Sequence, residues 1–90
     1  MFEIGNTIYY ARAIPIVDIY EVIELSIRSS GEDWVIGVDS STRQAFPFNK
    51  SDVGTLIFSH RADAEEVVKT ARAKFGVRKL TKTKEEENGQ

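Results

Sequence analysis

The sequence predicts an α+β protein: a small, strongly bent antiparallel sheet of about five strands, or an SH3-like partly open barrel, with one C-terminal amphipathic helix. Two observations carry the prediction. Between Asn6 and Phe58, apolar and polar side chains alternate in short runs broken by turn residues, the period of half-buried strands. Beyond Phe58 the period becomes helical, with Ala64, Val67, Val68, Ala71 and Phe75 forming one stripe. With 90 residues, 41% of them hydrophobic, the chain has material for one core. Residues 1–80 therefore read as a single β-plus-helix domain, and 81–90 as a disordered polar tail with nothing to bury.

The elements follow in order. Gly5-Asn6 is a turn signal, and residues 7–13 are rich in β-branched and aromatic side chains. Pro15 ends or bends that strand because it can donate no ladder hydrogen bond. In the run from Ile19 to Ser29, Ile23, Leu25 and Ile27 alternate with Glu24, Ser26 and Arg28, giving one buried face and one wet face. A glycine-containing loop, 29–33, leads to Trp34–Val38, with Trp34, Ile36 and Val38 on one face. A second loop, 39–43, leads to Gln44–Phe48, which Pro47 marks as an edge strand. Gly54 is the expected positive-φ residue of the next turn, and residues 55–58 form the last short strand. Ser59 is the expected helix N-cap, Gly76 the expected C-terminal cap, and Glu65 and Lys69 are spaced for an ion pair. The helix stripe is expected to cover the apolar face of the sheet, with Val77 and Leu80 packing back behind it.

Composition removes several function classes. There is no cysteine, hence neither a disulfide framework nor a thiolate, and one histidine, which leaves little for zinc sites or catalytic dyads. His60 has no nucleophile or metal-ligand partner at a telling spacing, and no P-loop or dinucleotide fingerprint occurs. The expectation is a non-enzymatic protein with no catalytic, cofactor-binding or metal residues. No run approaches the roughly 20 apolar residues of a membrane helix, and the opening MFEIGNTIYY lacks a signal-peptide layout, so the expected location is cytoplasmic.

Charge is uneven. Residues 1–60 carry eight acids and four bases, residues 61–84 carry eight bases and three acids, and Glu85–Glu87 restore the overall −2. An acidic sheet beside a basic helix makes a dipolar surface able to orient a charged partner. The acidic candidates are Glu21, Glu24, Glu32, Asp33 and Asp39, a phosphate-mimicking set suited to a basic groove on a partner. Tyr9 and Tyr10 point to opposite faces, so one of them lies outside the main core and joins Trp34 in a candidate contact patch; the competing reading places Trp34, Phe46 and Phe48 in the core. A pI near 5.4 argues against a general nucleic-acid binder. The alternative function is nevertheless a nucleic-acid contact using Lys69, Arg72, Lys74, Arg78 and Lys79 together with sheet aromatics. Edge strands also admit homo-oligomers, a dimer first among them.

The segment from Gln44 to Phe48, and from Asp52-Val53-Gly54 through Phe58 to Arg61-Ala62-Asp63-Ala64-Glu65, resembles small uncharacterised proteins of Firmicute prophages and conjugative elements. The opening Gly5-Asn6-Thr7-Ile8-Tyr9-Tyr10 is similar to their first strand. Together the likeness spans most of residues 5–70, and its motifs are a turn, a strand ending in phenylalanine and a helix opening. The usual Thr-Arg-Glu-Glu-Ala-Glu opening is here Ser59 to Glu65, a looser match. The resemblance implies a small β-plus-helix protein of a mobile element and carries no activity onto named residues. The combined expectation is a protein-binding module that modulates a host factor, such as a nucleic-acid-dependent enzyme, through an acidic sheet surface.

Overall fold

The structure, a computed structural model, describes residues 2–76. Five antiparallel strands form one sheet in the order β4-β3-β2-β1-β5. They are β1 (Thr7–Ile14), β2 (Ile19–Ser30), β3 (Trp34–Val38), β4 (Ala45–Asn49) and β5 (Ile57–Phe58). Helix α1 (Arg61–Ala71) follows, prolonged by one π-helical turn, Arg72–Gly76. The sheet is a partly open, SH3-like half-barrel with a C-terminal helix, as the periodicity predicts. The expected packing of Val77 and Leu80 and the expected tail at 81–90 lie outside the described residues.

Local chemistry explains the connections. Pro15 opens a 3₁₀ turn, and Asp18 closes it at φ 58° with its N–H on the Pro15 carbonyl, a left-handed position that Asp tolerates. β2 is long enough to serve two neighbours. Its first part pairs with β1, and its end, from Ser26, also pairs with β3. The register with β3 shifts between Ile27 and Ser29, a bulge that bends the strand and raises its twist, so the sheet curls instead of staying flat. Gly54, at φ 90°, turns the chain into β5, which is only two residues long.

The curl closes one face on itself. Ile8, Leu25, Ile27, Val35 and Ile57 are at most 1% exposed there, with Phe48 beside them. Tyr10 packs edge-on to Phe48 at 4.9 Å and tilts against Phe46 at 5.5 Å. Each such burial contributes roughly 1.5–3 kcal/mol. Ile23 packs against the same cluster. The helix covers the other face: Ala64 and Val68 bury against Ala11, Tyr20 and Phe58, with Val67, Ala71 and Phe75 at the margin.

This corrects the expected lid. All five stripe residues pack on the sheet, yet not on the face of Ile23, Leu25 and Ile27. Cross-strand pairing of Ala11 with Val22 and of Ala13 with Tyr20 creates a second apolar patch on the opposite face, and the stripe needs a small-residue floor of that kind. Other expectations are corrected too. The N-cap is His60, whose carbonyl accepts from the N–H groups of Asp63 and Ala64, because Ser59 lies one residue too early to reach them. Gly76 ends the π turn without a left-handed cap, since the helical backbone runs on through Arg72. Glu65 and Lys69 make no ion pair; the ion pairs among the described residues are Arg12–Glu21 and Arg61–Glu24. Trp34 leaves the core: it is 45% exposed on the outer face, its indole lying over Gly31.

Candidate docking groove along strand β2

β3 ends at Val38, opposite Ser26, so the earlier half of β2 has a strand neighbour on one side only. Residues of an antiparallel strand turn their backbone groups alternately to either side. Ile27 donates to the Asn6 carbonyl at 2.8 Å and accepts from Gly5 at 2.9 Å, which points the odd-numbered residues of β2 at β1. The even-numbered ones therefore point outward. The Tyr20 carbonyl does so, accepting from the Arg72 guanidinium at 3.1 Å. The N–H and C=O groups of Val22 and Glu24 face the same way and have no partner among the described residues.

Two depressions of about 380 and 390 Å³ run along this edge and share Glu21, Val22 and Arg61. The first is polar and is bounded by Glu24, Asp39 and Ser41; the second is walled by Glu65, Val68, Lys69 and Arg72 of the helix. The groove thus lies between the 39–41 loop and α1.

Its charged groups are held in place. Glu21 accepts from Arg12, its cross-strand partner, at 3.3 Å, and Glu24 accepts from Arg61 at 3.3 Å. The Arg61 guanidinium also sits 5.2 Å above the Tyr9 ring, and Arg72 sits 5.6 Å from the Tyr20 ring. Asp39 forms an Asx turn: the hydroxyl of Ser41 donates to its carboxylate at 2.7 Å and the Ser41 backbone N–H at 2.9 Å. These two donors hold the Asp39 carboxyl below its ordinary value of 3.8.

Of the eight candidate contact residues, four converge here: Glu21, Glu24 and Asp39 line the groove, and Tyr9 underlies Arg61. Glu32, Asp33 and Trp34 stand at the other end of β3, because the 29–33 loop and the 39–43 loop cap opposite ends of that strand. The five carboxylates therefore form no single acidic face. Tyr10 lies on the opposite face from Tyr9, half-buried among Phe46 and Phe48 and away from the groove. Sequence reasoning missed Arg61, whose signal was its place at the first turn of an amphipathic helix, and missed Val22, an apolar residue on the face read as wet. The basic helix of the alternative function is partly committed: Arg61 engages Glu24 and Arg72 the Tyr20 carbonyl, while Arg78 and Lys79 lie outside the described residues.

His60 is exposed at the helix start, and among the described residues no three metal-ligating side chains gather. No described helix is long and apolar enough to cross a membrane. Fold and groove define a small β-half-barrel with a helix-walled edge. Compared with family models, curated proteins and solved structures, the chain finds no match in any of the three.

Proposed function

We propose that this chain is a non-enzymatic protein-binding module and that its partner presents a basic segment to the groove along β2. The observation that supports this reading is the depression that Glu21, Glu24 and Asp39 line together with Arg61, Glu24 being paired to Arg61 and Glu21 to Arg12. Their neighbours fix these carboxylates before any partner arrives, so little side-chain entropy is lost on binding. Basic grooves of nucleic-acid-dependent enzymes carry the complementary charge, and the resemblance to prophage and conjugative-element proteins makes such a host enzyme the partner class to try first.

The test is capture by the immobilised protein, comparing the native chain with Glu24→Lys/Asp39→Lys at about 50 and 500 mM salt. A partner held by the native chain at low salt, and lost both in the variant and at high salt, supports the reading. A partner retained equally by the variant refutes the groove as its docking site. Because both substitutions are at exposed or half-exposed positions, circular dichroism should report an unchanged fold.

A further inference from the structure

We propose that the open edge of β2 receives an extended peptide of the partner as an added antiparallel strand, paired to Val22 and Glu24 and collinear with β3. This deepens the docking reading and rests on it. The added strand supplies what the sheet lacks: two backbone N–H groups and two carbonyls aimed into the groove without partners among the described residues.

The contrast with the other long edge makes this one specific. On β4 the even-numbered residues face β3, as the Asp39 N–H on the Gln44 carbonyl and the Lys50 N–H on the Asp33 carbonyl require. The outward residues are then Ala45, Pro47 and Asn49. Pro47 has no N–H, and the Asn49 N–H is already bonded to the Asp52 carboxylate at 3.0 Å. That edge is blunted in the manner of sheets that avoid pairing, whereas the β2 edge is not. The 39–41 loop and α1 border the β2 edge on either side.

Charge sets the direction. Glu21 and Arg61 are common to both depressions; the Asp39 end adds Glu24 and Asp39, and the Tyr20 end adds Lys69 and Arg72 against Glu65. A strand antiparallel to β2 begins at the Asp39 end, so the complementary peptide is basic at its N-terminal end and acidic at its C-terminal end. The position opposite Val22 lies on the helix-covered face, beside Val22 and Val68, and takes an apolar side chain.

The probe is the heptapeptide Lys-Lys-Thr-Val-Thr-Glu-Glu, added to ¹⁵N-labelled protein, with its valine aligned on Val22. The expected result is a shift and slowed exchange of the Val22 and Glu24 amides. N-methylation of the peptide valine, whose N–H pairs with β2, weakens binding roughly threefold to tenfold, one ladder bond's worth. N-methylation of either threonine, whose N–H points away, leaves it unchanged. The reversed peptide Glu-Glu-Thr-Val-Thr-Lys-Lys binds more weakly. Equal effects of the valine and threonine methylations overturn strand pairing. So does concentration-dependent protection of the two amides in peptide-free protein, which assigns the edge to a second copy of the chain. Absence of any peptide shift overturns the proposal as well. If that happens while Glu24→Lys/Asp39→Lys still abolishes partner capture, the docking reading stands without strand addition.

Discussion

Arg61, the first residue of α1, donates to the Glu24 carboxylate at 3.3 Å and so ties the helix start to the middle of β2. The two side chains are 47% and 59% exposed, which limits the pair to at most about 1 kcal/mol. Its larger role is electrostatic, because among the described residues Arg61 is the cation that lines the depression of Glu21, Glu24 and Asp39, Arg12 being paired to Glu21. Arg61→Ala is expected to lower stability by about 0.5–1.5 kcal/mol, counting the lost contact with the Tyr9 ring. The same change should tighten binding of a cationic partner. A urea-melt cycle with Glu24→Gln measures the first effect, and a coupling above about 2 kcal/mol contradicts the exposed-pair assignment.

Asp39 sets a pH dependence with a definite sign. Its carboxyl is held below 3.8 by the two Ser41 donors. Its contribution is therefore complete above 3.8 and is lost only as pH falls below that point, through the lowered value in the folded chain. The 39–41 loop should be indifferent to pH between roughly 5 and 7. The carboxyl carbon of Asp39 and the Ser41 amide, followed together by NMR, should titrate with one midpoint under 3.8; a midpoint at or above it removes the Asx turn from solution.

Tyr20 is buried, and its hydroxyl has no hydrogen-bond partner among the described residues. An unsatisfied buried hydroxyl costs about 1–3 kcal/mol. Tyr20→Phe keeps the ring against α1 and removes that cost, so urea unfolding should show equal or higher stability. A loss of more than about 1 kcal/mol means the hydroxyl is bonded in solution.

A Cβ at Gly31 would collide with the indole of Trp34. Since Trp34 is already 45% exposed, the ring can swing outward, and the expected cost of Gly31→Ala is modest, about 1 kcal/mol. Tryptophan fluorescence should move to longer wavelength as the ring enters water. An unshifted spectrum shows that the indole does not rest on Gly31.

Leu25 is 1% exposed in the inner cluster, and Leu25→Ala should cost about 2–5 kcal/mol in thermal or urea unfolding. The outer-face exchange Val22→Thr, at a half-buried position, should cost far less while leaving the backbone edge intact.

The chain's local order was legible in its residues. Alternation along Ile19–Ser29 and the stripe from Ala64 to Phe75 fix strand and helix because side-chain direction is tied to backbone geometry over a few residues. Tyr9 and Tyr10 were separable for the same reason, one per face. Which face turns inward was not legible. Trp34, Ile36 and Val38 outweigh Val35 and Gly37 in apolar content, yet β3 turns Val35 and Gly37 to the core, where Leu25 leaves no room for a Cβ on Gly37. Only packing of strands distant in sequence decides such a choice, since each face competes for a floor that other strands supply. The groove is of the same kind: Glu21, Glu24, Asp39 and Arg61 border one depression because β3 stops at Val38 while β2 continues, and the helix returns to wall the gap. Periodicity told which residues share a strand; closure of the half-barrel decided which strand was left with an open side.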